Sequence, residues 1–333
     1  MTPRSTAGPL ARRPPKILVI GASGYLGGHI RDRAGAAGLD VITAGRSPLP
    51  DSPAHCLLDL ATAEPGALAA TLAEQGPDVV VNCAGATGGD VAALAAANVT
   101  GTAVLVTALH RTGQPIRLVH LGSAAEYGPS EPGTAVAESD PARPASPYGA
   151  TKLAATRLVE LGRDTGLDAV VLRVFNPVGP GAPESILPGR LVGELRRAAA
   201  DGSEVRLGPL DAVRDFVDAR DVADAAVAAA LAPSWPPAVI NIGSGTGVPV
   251  RTLVRDLVAI SGYDGPVIES TEVDGRVVES AVMTGRPSGG APGLSWQQAD
   301  IGRARRDLGW QPRRSRAESL ADLWEDCHAL APG

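Results

Sequence analysis

Short apolar runs rich in β-branched residues recur along the chain, separated by longer alanine-rich stretches. Lys16-Ile17-Leu18-Val19-Ile20 is the first of them, and its unbroken apolar character predicts a strand buried on both faces. Residues 40–44, 78–82, 116–121 and 168–174 repeat the pattern, and residues 55–60 are the best candidate for a further strand between the second and third of these. Residues 64–75 and 90–112 read as the helices that link them. Strands alternating with helices predict an α/β fold, a Rossmann-type doubly wound parallel sheet covered on both faces. Past Phe175 the rhythm is lost, which predicts a smaller C-terminal lobe spanning 176–216 and 244–333. Residues 217–231 and 238–243 read as a return to the main sheet, whose domain is expected over 16–175 together with 217–243.

The first strand runs into Gly21-Ala22-Ser23-Gly24-Tyr25-Leu26-Gly27. Glycines spaced in this way after a buried strand provide a tight turn, close backbone approach to a pyrophosphate, and close packing of helix on strand. The helix N-terminus that follows favours the negative charge. The spacing is G-x-x-G-x-x-G rather than G-x-G-x-x-G, and its position still predicts a dinucleotide site. Further along, Ser146-Pro147 reads as a helix start, with a capping hydroxyl and a proline at the first helical position. Tyr148 and Lys152 then lie four apart and share one helix face. An ammonium beside a phenol favours phenolate, so Lys152 is expected to lower the Tyr148 pKa and make it a usable acid or base.

Composition narrows the classes of function. The 333 residues suffice for a large core. A net charge of −6 offers no general basic surface for nucleic acid. Arg303, Arg305, Arg306, Arg313, Arg314 and Arg316 cluster, but acidic residues interleave with them, which reads as a solvated helical face. Three distant cysteines, Cys56, Cys83 and Cys327, fit neither a disulfide framework nor a zinc site, and predict a reducing cytoplasm and no metal. Residues 1–15 read as a disordered leader rather than a twin-arginine signal, because the apolar run after Arg12-Arg13 is needed as the first strand. No run approaches the roughly 18 apolar residues of a membrane span. The loop Ser288-Gly289-Gly290-Ala291-Pro292-Gly293 is expected to be flexible enough to cover the site.

Several marks occur in order: Gly21 to Gly27, Asn82-Cys83-Ala84-Gly85, Asn98-Val99-Thr100-Gly101-Thr102, Ser123, Tyr148 with Lys152, Arg173-Val174-Phe175-Asn176-Pro177, Arg214-Asp215-Phe216-Val217 and Leu308-Gly309-Trp310-Gln311-Pro312. Together they make residues 16 to the end resemble the extended short-chain dehydrogenases/reductases of the nucleotide-sugar epimerase, dehydratase and ketoreductase group. The resemblance implies a nicotinamide dinucleotide cofactor, a nucleotide-sugar substrate, a possible homodimer, and Ser123, Tyr148 and Lys152 as the catalytic group. It implies cofactor contacts from Gly21, Ser23, Gly24, Tyr25, Leu26 and Gly27, from Asp59 and Leu60, from Cys83, Ala84 and Gly85, and from Asn98 and Lys152. Asp59 ends a strand, which is also ordinary turn chemistry. Substrate contacts are implied for Ala124, Glu126, Asn176 and Arg214. Glu126 also reads as a structural carboxylate, and Arg214 as a partner of Asp215 or Asp218.

The chemistry suits the trio. Hydride delivered to a carbonyl carbon builds charge on oxygen, which needs a proton donor, Tyr148, and a second hydrogen bond, from Ser123. After the second strand stand Gly45-Arg46-Ser47 in place of an acidic residue. Arg46 and Ser47 suit the 2′-phosphate of NADP(H), with NAD(H) as the alternative. Dehydratases of the group carry an Asp-Glu pair where this chain has Ala124 and Ala125, and alanine relays no proton. The expected reaction is therefore NADPH-dependent reduction of a nucleotide-linked 4-keto-6-deoxyhexose. A 4-epimerase retaining NAD, a ketoreductase of a non-sugar product and a non-catalytic NADP-sensing protein are the alternatives. Arg286-Pro287 leads into the glycine-rich loop, where relatives carry an aspartate, which leaves the sugar itself open.

Overall fold

Four of the five residues of β1 (Lys16–Ile20) are buried, because neighbouring strands cover its edges and helices cover both its faces. The chain is described over residues 13–50, 52, 54–273, 276–282 and 295–329 in a computed structural model. After β1 come α1 (Tyr25–Ala36), β2 (Asp40–Gly45), β3 (His55–Leu57), α2 (Pro65–Gln75), β4 (Val79–Asn82), α3 (Val91–Leu94), α4 (Gly101–Thr112), β5 (Arg117–Ser123), α5 (Pro147–Asp164) and β6 (Ala169–Val174). The second half holds β7 (Asn176–Val178), α6 (Leu187–Asp201), β8 (Val205–Leu207), β9 (Val213–Asp218), α7 (Ala219–Ala230), β10 (Val239–Ile242), β11 (Gly247–Pro249), α8 (Val250–Ser261), β12 (Val267–Val273), β13 (Arg276–Ala281), α9 (Gly302–Leu308) and α10 (Arg316–Ala329).

Seven strands form one parallel sheet in the order β10-β6-β5-β4-β1-β2-β3. The order reverses beside β1, with β2 on one side and β4 on the other. In open α/β sheets the crevice at such a reversal is where ligands bind. The expected strands are all present, with β5 running on to include Ser123. Later in the chain, α7 packs on α1, and β10 extends the edge beside β6.

The apolar stretch 90–112 is not one uniform helix. Between α3 and α4, residues Ala95–Thr100 form a π-helical segment. A π segment inside an α-helix frequently marks a functional site. Periodicity cannot disclose it, since the same residues satisfy a regular helix. By length and composition Val91–Thr112 is apolar enough to cross a membrane, contrary to the reading that no run comes close. Here Leu105, Ala108 and Leu109 are buried in the core, and α4 packs against α2 and α5.

The second core lies in the C-terminal half. It gathers Leu191, Leu195, Leu253, Leu257, Leu320 and Leu323 around two three-stranded sheets, β11-β9-β7 and β13-β12-β8. The loss of rhythm predicts that residues 244–333 belong to this lobe, yet Ala299, Ile301, Ala304 and Trp310 are buried with the main-sheet core. The Trp310 indole N–H donates to the Asp221 carbonyl at 2.9 Å. The arginine cluster is likewise no solvated face throughout. Arg314 pairs with buried Asp221, Arg316 with Asp256, and Arg303 donates to the Val239 carbonyl. Only Arg305 and Arg306 on α9 and Arg313 are exposed. At the other end, Arg13 donates to both carboxylate oxygens of Asp78, so the last residues of the expected leader are held to the sheet. The loop 288–293 and Arg286 lie outside the described residues.

The glycine turn joins β1 to α1. Gly21 has φ +83°, and a Cβ there would stand 2.9 Å from the Ala84 nitrogen. At Gly27 a Cβ would overlap the Gly21 carbonyl oxygen, so the helix reaches the strand only because that position has no side chain. Gly27→Ala is expected to destabilise the fold by about 1–3 kcal/mol through forced backbone displacement, measured as a lower denaturant midpoint with an unchanged slope.

Candidate active site

The glycine turn leaves the first turn of α1 open at its end. Gly24 is the N-cap, no side chain caps the free N–H groups, and the first turn holds no acidic residue. Uncapped amides at a helix start favour an anion, so this cradle fits the pyrophosphate of a dinucleotide. Gly24, Tyr25 and Leu26 border a cavity of about 630 Å³ at the carboxyl ends of β4, β5 and β6. Cys83, Ala84, Gly85 and Asn98 line it as well. Gly21 and Ser23, in the turn, and Gly27, in the first turn of α1, do not line it.

Asn98 sits in the π segment, 2% exposed. Its Oδ1 accepts from Ala86 N, and its Nδ2 donates to Ala86 O and Thr151 Oγ1. One amide therefore ties the loop after β4 to α5 beside Lys152. Underneath, Asn82 Oδ1 accepts from Ala84 N and its Nδ2 contacts His120 Nδ1 at 3.1 Å. Burial pushes the His120 pKa well below its usual value, and the Lys152 charge adds to this. The ring is neutral and structural. Burial also pushes the Cys83 thiol up to about 12, so this cysteine is not a thiolate nucleophile.

Ser123, Tyr148 and Lys152 meet in the cavity. Ser123 ends β5 in extended conformation and caps the short 3₁₀ turn Ala124–Glu126, its hydroxyl accepting from Ala125 N at 3.2 Å. Ser146 caps α5 through Gly149 N with Pro147 in the first turn, as the motif predicts. Burial raises the Tyr148 pKa and the Glu126 charge adds to this, together outweighing the Ser123 hydroxyl, which lowers it. This corrects the expectation that Lys152 lowers it. The Lys152 Nζ donates to the Leu121 carbonyl at 2.5 Å instead of to the phenol. Its own pKa falls through burial, opposed by Glu126 and Cys83.

The remaining expected contacts divide. Ala124, Asn176 and Arg214 line the cavity, and Asn176 Nδ2 donates to the Asp215 carbonyl. Arg214 is not paired with Asp215 or Asp218. Its guanidinium donates to the Val213 and Ser295 carbonyls and to Ser295 Oγ, and no carboxylate pairs with it among the described residues. Asp215 is occupied by the amides of Ser244, Gly245 and Ala299, and Asp218 by Arg220. A second hollow of about 440 Å³ shares Asn176, Pro177, Ile186 and Arg214 with the first. Glu126 is no substrate contact. It is fully buried and paired with Arg173 at 2.7 Å, beneath the cavity floor.

Arg46 and Ser47 follow β2 and are exposed, outside the cavity wall but on the edge that continues the glycine turn. Asp59 Oδ1 accepts from Ala61 N at 3.0 Å, which is the turn chemistry that its position also suggested, and Leu60 is buried beside it. Sequence reading missed Gln297, whose Nε2 donates to the Ala124 and Gly128 carbonyls from the cavity wall. It lies beyond the glycine-rich loop, far along the chain from the trio, and carries no motif.

Residues 17–243 match the model of the NAD dependent epimerase/dehydratase family. A dTDP-6-deoxy-L-talose 4-dehydrogenase (NAD(P)(+)) from Kitasatospora kifunensis is 39% identical over 320 residues, 93% of this chain and 95% of the relative. A GDP-6-deoxy-D-mannose reductase from Pseudomonas aeruginosa is 28% identical over 263 residues, 76% of this chain and 83% of that protein. Among solved structures, MoeE5 in complex with UDP-glucuronic acid and NAD superposes with a TM-score of 0.79 at 28% identity, covering 94% of this chain and 99% of that one. The glycine cradle, the Ser-Tyr-Lys cluster and these matches agree, and the chain belongs to the NAD dependent epimerase/dehydratase family, the NAD(P)-dependent extended short-chain dehydrogenases/reductases.

Proposed function

We propose that this enzyme reduces the 4-keto group of a nucleotide-linked 6-deoxyhexose with NADPH. The observation that carries the reading is the meeting of Ser123, Tyr148 and Lys152 in a cavity that continues past Arg214 into a second hollow. The bound nicotinamide supplies hydride chemistry. The chain's own residues hold the rest. Tyr148, kept protonated by burial, gives its proton to the carbonyl oxygen as charge builds there. Ser123 offers a second hydrogen bond to the same oxygen. Lys152 stands at the base of the cavity, where an ammonium suits ribose hydroxyls. Arg214 is a half-buried guanidinium with no carboxylate partner among the described residues, a fit for a diphosphate. Ala124 and Ala125 line the wall where water loss would need an acid and a base, which favours simple carbonyl chemistry. The 39% identical 4-dehydrogenase supports a 4-position redox step on a deoxysugar nucleotide.

A second reading, a sugar-nucleotide 4-epimerase, is supported by a UDP-glucose 4-epimerase from Streptomyces lividans that is 32% identical over 68% of this chain. Tightly retained NAD in the purified protein, with no net consumption of NADPH, is the result that would favour it.

Three outcomes test the proposal. Oxidation of NADPH should follow addition of a nucleotide-linked 4-keto-6-deoxyhexose, and Tyr148→Phe should lower kcat by about 10²-fold or more through loss of the proton donor; full activity in that variant would sink the mechanism. Arg46→Ala should raise KM for NADPH about tenfold, the loss of one charge-assisted phosphate contact, and change KM for NADH less than about twofold. The Tyr148 phenol must be protonated to act, and its pKa is raised, so it keeps its proton as pH climbs to the ordinary value of 10.0. Ultraviolet titration of the free protein, wild type minus Tyr148→Phe, should accordingly show a phenolate midpoint above that pH.

A further inference from the structure

Directly beneath the Ser-Tyr-Lys cluster lies a carboxylate that none of the chemistry above uses. Glu126 is 0% exposed, and three donors from three elements converge on it. Its Oε1 accepts from the Ser123 backbone N–H at 2.8 Å. Its Oε2 accepts from Thr156 Oγ1 at 2.8 Å and from Arg173 Nε at 2.7 Å. Lys152 and Tyr148 both feel its charge. Arg173 is 3% exposed, lies over the Tyr127 ring at 4.5 Å, and has Glu126 as its carboxylate partner.

The three donors are not scattered. Ser123 ends β5, and Arg173 is in β6, where Gly122 pairs with Arg173 and Ser123 with Val174. Thr156 is on α5, four residues after Lys152 and eight after Tyr148, so all three share one helix face. Space for the carboxylate is created by Gly122, where a Cβ would stand 2.6 Å from Glu126 Oε1 and 2.8 Å from Val171 Cγ1. The segment Gly122-Ser123-Ala124-Ala125-Glu126 thus folds its own glutamate back under its own serine, and closes a capping box in doing so.

We propose that Glu126 is a positioning residue: by accepting at once from the Ser123 amide, the Thr156 hydroxyl and Arg173, it sets the distance between the serine on the sheet and the tyrosine and lysine on α5. The inference rests on the reductase reading for its activity readout. A hydrogen-bonded ion pair without exposure is poor evidence for stability, since an apolar pair of similar volume often serves as well or better. What the apolar pair cannot do is accept the Ser123 N–H. A displacement of about 1 Å between reacting groups costs about 10²-fold in rate, so the tether acts on turnover more than on binding.

The test compares a double variant, Glu126→Leu/Arg173→Met, which removes both charges together, with Glu126→Gln/Arg173→Met, which also removes both but keeps an oxygen for Ser123 and an N–H for Thr156. In Glu126→Leu/Arg173→Met kcat for carbonyl reduction should fall about tenfold or more, with KM for NADPH and sugar nucleotide within about twofold of wild type. Amide hydrogen exchange over residues 121–128 should quicken while β6 stays protected. Glu126→Gln/Arg173→Met should return kcat to within about threefold. A Glu126→Leu/Arg173→Met variant with wild-type kcat and unchanged exchange overturns the proposal, as does a Glu126→Gln/Arg173→Met variant no better than it. Should Glu126→Leu/Arg173→Met fail to fold, Thr156→Val removes one arm of the tether alone, and its kcat must fall at least about threefold with KM held, or the proposal fails. If the wild type reduces no 4-keto sugar nucleotide, the reaction assigned above is wrong, and the exchange measurement still decides the role of Glu126.

Discussion

Parallel pairing of β4, β1 and β2 is the constraint from which the rest follows. Parallel strands need a crossover each, so every strand ends on the same edge and helices cover both faces. Winding outwards from β1 in both directions leaves one reversal, with β4 and β2 diverging around the β1 turn. The glycine turn, the Ala84 loop and Ser123 all stand at that edge because β1, β4 and β5 all end there. A glycine at 27 lets α1 come close enough for its free amides to face the same crevice.

The end of the cavity that holds Ser123, Tyr148 and Lys152 is built by a second layer of constraint, polar and buried. Asn98 holds Ala86 to Thr151, Asn82 joins Ala84 to His120, and Glu126 joins Ser123 to Thr156 and Arg173. Each bridges a strand end or loop to α5 or to the next strand. Buried polar groups of this kind need every partner in place, which makes them stiff links between elements that otherwise touch only through apolar side chains. Burial raises the Tyr148 pKa, and Lys152 donates to the Leu121 carbonyl rather than to the phenol.

How far the chain could be read ahead of its fold differs by residue. β1, β4 and β6 were legible because strands buried on both faces read as near-continuous apolar runs, with Lys16 and Asn82 only at strand ends and Arg173 the one interruption in β6. Ser146-Pro147 marked the start of α5 through local capping chemistry. The π segment at Ala95–Thr100 was not legible, since its alanines suit an α-helix equally and Asn98 chooses the wider turn through bonds to Ala86 and Thr151. Nor was the arginine cluster, where Arg303, Arg314 and Arg316 found partners at Val239, Asp221 and Asp256, each more than 50 positions away.

The sequence by itself determined the local devices: the strand runs, the glycine turn, the capped helix with Tyr148 and Lys152 on one face, and the alanines where a dehydratase carries acids. These depend on neighbours a few positions apart, within reach of propensity and periodicity. The tertiary structure alone decided which charges meet. It freed Arg214 from Asp215 and Asp218, sent Lys152 to the Leu121 carbonyl, seated Gln297 in the cavity wall and turned Glu126 from a candidate substrate contact into a buried tether. The physical reason is that ionic and hydrogen-bond partners are chosen by burial and by distance in space, and both are set only when the sheet and its covering helices close together.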